Sequence, residues 1–255
     1  MNYIQALQNP IFKIIAKASK ELNVDSYVIG GFVRDFILQR DFKKDIDIVS
    51  VGSGIDLAIK VSELLPKNPK VQIFKTYGTA MLYYNGIDIE FVGARKESYN
   101  LESRNPIVEN GTLKDDQDRR DFTINAMAAS VNADCLGELI DHFGGVQDLA
   151  AGILRTPLDP AVTFSDDPLR MMRAARFAAR LGVRLDDAAL RRGWVLAILA
   201  GEDVRRGLLH ALKRLGVVLL RPQRRAVVVP HRQADVLPHL TAAARLHAAI
   251  LERGA

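Results

Sequence analysis

Two aspartates separated by one isoleucine open a short run of β-branched residues, Asp45-Ile46-Asp47-Ile48. Side chains alternate between the two faces of a strand, so both carboxylates are expected on one face and both isoleucines on the other. Neighbouring carboxylates repel each other, and a cation offsets that repulsion. Oxygen ligands suit Mg²⁺, and two such ions can hold the oxygens of an in-line phosphoryl transfer. Taken alone, the pair is more typical of solvated acids at a strand edge.

A glycine pair, Gly30-Gly31, precedes these acids and lies between a predicted strand at 27–29 and a predicted helix at 32–38. Backbone N–H groups at the start of a helix can bind phosphate, and glycine lets the backbone approach it closely. A glycine pair in this position is more often only a tight turn. Followed by Arg34-Asp35 and then the acidic pair, it is much more specific for phosphate chemistry.

A third acid is expected on a neighbouring strand. Asp88 and Glu90 alternate with apolar residues in Ile87–Phe91, so they share a face and both are candidates. For each of them, an exposed position on an edge strand is about equally plausible.

Three segments together resemble a known family. The stretch VIGGFVRDFILQRDFKKDIDIV is similar to the nucleotidyltransferase core of the class II tRNA nucleotidyltransferases (CCA-adding enzymes) and bacterial poly(A) polymerases. DDQDRRDFTINAMA and DDPLRMMRAARFAARLG resemble two further motifs of that family, in the same order. Gln117 replaces the usual Leu and Asp166 the usual Glu. The resemblance covers roughly residues 20–185.

The resemblance implies an α+β fold. A polymerase-β-like nucleotidyltransferase head with a mixed or antiparallel sheet is expected over residues 1–150, followed by an all-α neck and body. The neck, with a base-recognition helix, is expected over 151–216, and a short atypical helical tail over 217–255. The tail differs in composition, because residues 171–255 carry one Lys and 15 Arg whereas residues 1–170 carry 11 Lys and 8 Arg.

The same resemblance assigns roles to individual residues. Asp45, Asp47 and Asp88 are the expected catalytic acids, with Glu90 as the alternative third acid, and Asp45 and Asp47 are the expected Mg²⁺ ligands. The expected nucleotide-binding residues are Gly30, Gly31, Arg34, Arg120, Asp121, Asp167, Arg170, Arg173 and Arg176. Asp167 and Arg170 would select cytosine or adenine, since a carboxylate and a guanidinium offer both acceptors and donors to a base edge. Asn125 is expected to hold its helix or the sugar.

The predicted function is addition of CCA to the tRNA 3′ end from CTP and ATP without a nucleic-acid template. Poly(A) synthesis, partial addition of CC or A, and a non-catalytic RNA-binding fragment stay open as alternatives. An Arg-rich segment typical of the poly(A) enzymes is not evident around Val92–Arg95, which favours the tRNA enzyme. The N-terminus lacks a signal-peptide pattern and no apolar run is long enough to span a bilayer, so a cytoplasmic protein without a membrane partner is expected.

The hydrophobic pattern also predicts individual elements. Residues 93–119 are expected to form a polar loop, residues 120–131 a helix, and residues 168–181 a helix capped by Ser165. Further helices are expected over 186–200, 202–215 and 236–252, with an irregular segment at 217–233.

Overall fold

The computed structural model describes residues 3–40, 45–100, 103–167 and 169–190, together with the pairs 217–218 and 227–228. For residues 98–100 and 103–107 and the two pairs, the description is limited to the backbone. The helices predicted over 202–215 and 236–252, and most of the one predicted over 186–200, lie outside these residues.

The chain divides into two compact units. The first comprises Met1–Asn100, Asn105–Arg119 and Asn125–Phe143, and the second comprises Leu101–Arg104, Arg120–Ile124 and Gly144–Ala255. The domain boundaries predicted at residues 150 and 216 stay predictions.

Seven helices and thirteen strands are described. The helices are α1 (Pro10–Leu22), α2 (Gly31–Ile37), α3 (Gly54–Leu64), α4 (Leu113–Asp118), α5 (Gly145–Ala151), α6 (Pro160–Asp166) and α7 (Leu169–Leu181). The strands are β1 (Ser26–Ile29), β2 (Asp45–Ser50), β3 (Val71–Phe74), β4 (Thr79–Tyr84), β5 (Ile87–Gly93), β6 (Arg95–Asn100), β7 (Ser103–Asn110), β8 (Ala128–Ser130), β9 (Leu139–Ile140), β10 (Ile153–Leu154), β11 (Arg184–Leu185), β12 (Val217–Val218) and β13 (Val227–Val228).

A seven-stranded sheet in the order β3-β4-β5-β2-β1-β8-β9 forms the centre of the first unit. Strands β2 and β5 pair in parallel, whereas the other neighbours in this sheet pair antiparallel. The mixed sheet expected from the sequence is therefore confirmed. Strands β4 and β5 form a hairpin through Asn85-Gly86, and both residues have positive φ (49° and 80°), as a tight two-residue hairpin turn requires.

Helices α1 and α3 cover one face of this sheet. Ile46 and Ile48 of β2 and Ile89 and Phe91 of β5 point to that face and are fully or almost fully buried. On the opposite face, a smaller cluster around Ile29, Val49, Ala94, Leu113 and Ala128 covers the part of the sheet near Val92. The start of β2 and the first half of β5 carry exposed acids on that opposite face.

Residues 93–119 are not a loop, and this prediction was wrong. They form the two-stranded sheet β6–β7 followed by α4. Both strands are rich in polar residues, so they lack the apolar alternation that reveals a strand. Pro106 lies in β7, which is tolerated because neither strand of a two-stranded sheet is central. The signal for α4 was present, since Thr112 and Asp115 form a capping box.

The helix predicted over 120–131 is also wrong. The segment forms a 3₁₀ turn at Thr123–Asn125 and then strand β8, which pairs with β1. Ala and Met favour helix locally, but sheet pairing outweighs that preference here. Phe122, Ile124 and Met127 are fully buried.

The helix predicted over 168–181 is confirmed as α7 (Leu169–Leu181), but a separate helix, α6, precedes it and contains the predicted cap residue. Asp159 caps α6 by accepting a hydrogen bond from the Ala161 N–H, and Ser165 lies inside α6 rather than at a cap. The Asp167 carboxylate accepts a hydrogen bond from the Leu169 N–H at the start of α7 (3.1 Å). In the irregular segment predicted at 217–233, β12 and β13 pair antiparallel.

Within the described part of the chain, no helix combines the length and the apolar character needed to cross a bilayer.

Candidate active site

Four carboxylates lie on one face of two adjacent parallel strands. The register of β2 and β5 places Asp45 beside Asp88 and Asp47 beside Glu90. Adjacent strands lie about 4.8 Å apart, so each pair of side chains leaves the sheet from neighbouring backbone positions. Asp45, Asp47 and Asp88 are exposed, and Glu90 is half-buried. We call these four residues the acidic face.

The acids of the acidic face differ in environment. Burial raises the pKa of the Glu90 carboxyl above its ordinary value, and the negative charge of Asp47 raises it further, while Arg95 acts in the opposite direction. Because Asp47 and Glu90 lie close together, ionising both carboxyl groups costs free energy. A cation at this position would relieve that cost.

The donors of the acidic face fit a magnesium ion. Among the residues described, no three His, Cys, Asp or Glu side chains come together as a complete metal-binding group. In phosphoryl-transfer enzymes, proteins commonly supply one or two carboxylates to Mg²⁺, and water and substrate phosphates complete its shell. Asp45 and Asp47 offer such a partial set, which suits an ion that binds together with a nucleotide.

The glycine pair is placed as the sequence predicts, between β1 and α2. Gly30 has φ 78° and ψ −125°, a conformation that side-chain-bearing residues rarely adopt. Its N–H donates to the Met127 carbonyl (3.0 Å), which ties the turn to the segment before β8. The pair therefore starts α2 in a fixed position within the first unit.

Arg34 lies inside the first unit. Its side chain is almost fully buried, and Nε donates to Asp35 Oδ1 (2.8 Å) while Nη1 donates to Asn125 Oδ1 (2.5 Å). The guanidinium thus connects α2 to the 3₁₀ turn before β8. Asn125, left open by the sequence between a structural and a sugar-binding role, is the amide that receives this contact.

The second unit brings two of the predicted nucleotide-binding residues together. Arg173 of α7 donates from Nε to Asp121 Oδ2 (2.7 Å), and Asp121 Oδ1 also accepts from the Phe122 N–H (2.8 Å). The guanidinium groups of Arg173 and Arg176 lie over the Phe177 ring, at 5.4 and 5.5 Å from its centre. The charged side of α7 is therefore held in place by defined contacts.

The start of α7 carries the predicted base-reading pair. The Asp167 carbonyl accepts a hydrogen bond from the Arg170 N–H, so the two residues stand one helical turn apart. Arg170 is largely buried and its guanidinium donates to the Thr163 carbonyl of α6 (3.4 Å). The apolar side of α7, formed by Met171, Ala174, Ala178 and Leu181, is buried.

Sequence reasoning missed two buried polar anchors, one in each unit. Asp148 accepts a hydrogen bond from the Thr123 hydroxyl (2.7 Å) and forms an ion pair with Arg155 (2.9 Å), all within the second unit. Gln117 donates from its amide to the carbonyls of Ala126 and Ile140. The replacement of Leu by Gln was visible as a departure from the family motif, and the structure shows that the amide ties α4 to two strand segments.

A family model for the poly(A) polymerase head domain matches residues 26–155. The chain is 44% identical over 160 residues to an A-adding tRNA nucleotidyltransferase of Aquifex aeolicus, covering 63% of this chain and 19% of that relative. It is 39% identical over 175 residues to a CCA-adding enzyme of Geobacillus sp., covering 68% of this chain and 41% of that relative. The chain thus spans well under half of the length of these curated relatives.

The structure resembles a crystal structure of a tRNA nucleotidyltransferase complexed with a primer tRNA and an incoming ATP analog. The TM-score is 0.64 at 31% sequence identity, and the match covers 92% of this chain and 61% of the other.

Proposed function

Because the chain belongs to the poly(A) polymerase head-domain family, we propose that its acidic face transfers a nucleotide to the 3′ end of an RNA. The observation that carries this proposal is the parallel register of β2 and β5, which sets Asp45 and Asp47 beside Asp88 and Glu90 on one open face. Similarity to tRNA nucleotidyltransferases supports tRNA as the RNA and CTP and ATP as the nucleotides.

In this reaction, the oxygen of the RNA 3′-hydroxyl attacks the α-phosphorus of the incoming nucleotide. A new P–O bond forms, the bond between the α-phosphorus and its bridging oxygen breaks, and pyrophosphate leaves. When bound by Asp45 and Asp47, Mg²⁺ supplies positive charge that favours ionisation of the hydroxyl and offsets charge at the α-phosphate. Either Asp88 or Glu90 completes the acidic set, and each lies directly beside one of these aspartates.

The triphosphate contacts are assigned to the glycine turn and to arginines. Gly31 presents its backbone N–H at the start of α2, Gly30 shapes the turn through its positive φ, and Arg34 positions this turn through its contacts inside the first unit. In the second unit, Arg120, Arg173 and Arg176 supply positive charge for phosphates and Asp121 an acceptor for a ribose hydroxyl.

Base choice is assigned to Asp167 and Arg170 at the start of α7. The pair presents an acceptor and donors on a segment whose backbone is fixed by the Asp167 cap. A rigid set of hydrogen-bonding groups can reject a wrong base because the mismatch leaves buried polar groups unpaired.

Addition of the terminal A alone is a second candidate. It is favoured by the 44% identity to an enzyme named for A addition. Poly(A) synthesis and binding without catalysis are the further outcomes that the experiment below separates.

The test is incorporation of labelled CTP and ATP with Mg²⁺ into three tRNA substrates, ending before CCA, after one C and after CC. Products are resolved at single-nucleotide resolution. Ordered addition of C, C and A that then stops supports the proposal. Addition only to the CC-ending tRNA identifies the A-adding candidate, and a long A tract identifies poly(A) synthesis. No product from a folded protein would overturn catalysis.

A further inference from the structure

An exposed aromatic and apolar strip continues the acidic face toward the edge of the sheet. Tyr83 of β4 is the cross-strand partner of Asp88, and Met81 is the partner of Glu90. Phe74 of β3 is the partner of Thr79, so it projects from the same face as Met81 and Tyr83. We call Phe74, Met81 and Tyr83 the aromatic platform.

The platform side chains are unusually open for their size. Tyr83 is 63% exposed and Phe74 is 43% exposed, whereas Ala80 and Leu82, which alternate with Met81 and Tyr83 along β4, are fully buried. One exposed aromatic residue needs no explanation, but a group that borders a proposed reaction site does. Tyr83, Asp88 and Asp45 form one row across three strands. Tyr83 therefore lies one strand spacing, about 5 Å, from Asp88 and two strand spacings, about 10 Å, from Asp45.

Charge indicates which part of a nucleic acid the platform can bind. The four carboxylates beside the aromatic platform repel phosphate, so the phosphates of a bound nucleic acid are disfavoured next to these carboxylates. Lys70 and Lys75 lie at the far side, immediately before and after β3, and both are exposed. The order across the surface is acids, aromatic rings and then lysines. This order suits a base on the rings and a backbone that turns outward to the lysines.

From this arrangement we propose that Tyr83, followed along the same face by Met81 and then by Phe74, stacks against the unpaired nucleotides at the 3′ end of the RNA. This inference rests on the proposed function for the identity of the occupant, since the 3′-hydroxyl must reach the acidic face. The stacking holds the RNA end so that its hydroxyl lies over Asp45 and Asp47. Because every base has a π face, the contact tolerates different bases as the end grows.

The test compares Tyr83→Ala with Tyr83→Phe in the full chain. The probe is a short single-stranded RNA ending in CC whose penultimate base is replaced by 2-aminopurine, a fluorophore that stacking quenches. Base–aromatic stacking of the usual strength predicts that Tyr83→Ala weakens RNA binding about 5- to 100-fold and relieves the quenching. Tyr83→Phe should bind and quench like the unchanged chain, because it keeps the ring.

A matched control is Tyr77→Ala. Tyr77 is 70% exposed but lies in the 3₁₀ turn after β3, outside the strand rows of the platform. It should leave affinity and quenching unchanged. Thermal melts of all variants check that each remains folded.

The experiment distinguishes a failure of the platform proposal from a failure of the proposed catalysis. If Tyr83→Ala binds the RNA with unchanged affinity and quenching, the platform is wrong even when nucleotide addition proceeds. If Tyr83→Ala loses affinity while the unchanged chain adds no nucleotide, the platform stands and the proposed catalysis fails. In an active enzyme, Tyr83→Ala should raise the KM for RNA and leave the KM for the nucleotide unchanged.

Discussion

Glu90 differs from the other three acids because part of its carboxyl is buried beside Asp47, which raises its pKa. In the unfolded chain this carboxyl returns to its ordinary range. Between the ordinary and the raised pKa, the folded state therefore binds more protons than the unfolded state, and stability falls as pH rises through that window.

Replacing Glu90 with Gln removes this penalty. In EDTA at pH 7, Glu90→Gln should unfold at a higher urea concentration than the unchanged chain, and the difference should shrink as pH falls below the ordinary pKa of 4.5. Urea titrations across pH values measure both effects. A variant with equal or lower stability at pH 7 would contradict the like-charge interpretation of this face.

The buried ion pair between Arg34 and Asp35 should contribute to the stability of the folded chain. Removing one partner of a buried ion pair leaves the other charge without compensation, which typically costs about 3–5 kcal/mol. We expect Arg34→Met to lower the free energy of unfolding by this order, since both Arg34 and Asp35 are 3% exposed. Lys17→Met is the control, because Lys17 is exposed on α1 and its loss should change little. A melting temperature equal to that of the control would show that the buried pair is dispensable.

The sequence alone predicts where some of these side chains lie, but it does not predict which distant residues they contact. The alternation that puts Asp45 and Asp47 on one face is a local property of a strand. The pairing of Asp45 with Asp88 depends on a parallel register that is set only when helix α3 and strands β3 and β4 are in place. The contact from Arg34 to Asn125 joins residues 91 positions apart, which no local pattern contains.

Among the elements, α4 begins with a capping box that sequence reasoning overlooked. The Thr112 hydroxyl accepts from the Asp115 N–H, and hydrogen bonding to Thr112 lowers the pKa of the Asp115 carboxyl. Loss of such a cap costs about 1 kcal/mol. Thr112→Ala should therefore reduce stability by this amount, whereas Thr76→Ala, at an exposed position in a 3₁₀ turn, should not. Equal urea midpoints for both variants would exclude a stabilising cap.

In both mispredicted segments, the local sequence pattern does not determine the conformation. The sequence from Arg120 to Val131 contains good helix formers, yet pairing of β8 with β1 decides its conformation. The polar strands β6 and β7 give no amphipathic signal, because neither face needs to be apolar in a small two-stranded sheet. In contrast, α1 and α7 were predictable, since their buried residues recur at helical spacing.

Arg170 at the start of α7 is one of the two residues proposed to select the base. If Arg170 reads the base, Arg170→Ala should reduce the ratio of kcat/KM for CTP or ATP over UTP or GTP by about tenfold or more, because a hydrogen-bonding group is lost. Arg180→Ala is the control, being exposed on the same helix. Incorporation of each nucleotide measured separately gives the ratio. If Arg170→Ala lowers all four rates equally, Arg170 has a structural role only.

For the molecule as a whole, the charge is divided along the chain. Residues 1–170 carry 19 basic and 24 acidic side chains, whereas residues 171–255 carry 16 and 6. An excess of arginine predicts RNA binding through phosphates, which weakens as salt displaces those contacts. We expect tRNA affinity to fall at least tenfold between 50 and 200 mM salt, the direction and scale that several phosphate contacts produce. If the tRNA affinity, measured by fluorescence anisotropy, does not change with salt, binding through the basic residues of segment 171–255 is contradicted.

Single-turnover nucleotide addition with matched variants tests whether the proposed transfer depends on the Asp45 and Asp47 carboxylates. Asp45→Asn and Asp47→Asn keep side-chain size but remove the charge that would hold Mg²⁺, whereas Asp56→Asn changes an exposed acid in the first turn of α3. We predict that both strand variants lose addition by at least about a thousandfold while binding tRNA normally, as expected when phosphoryl-transfer electrostatics are removed. Asp56→Asn should retain full activity. Addition by Asp45→Asn or Asp47→Asn at a rate close to that of Asp56→Asn would show that these two carboxylates are not needed for nucleotide transfer.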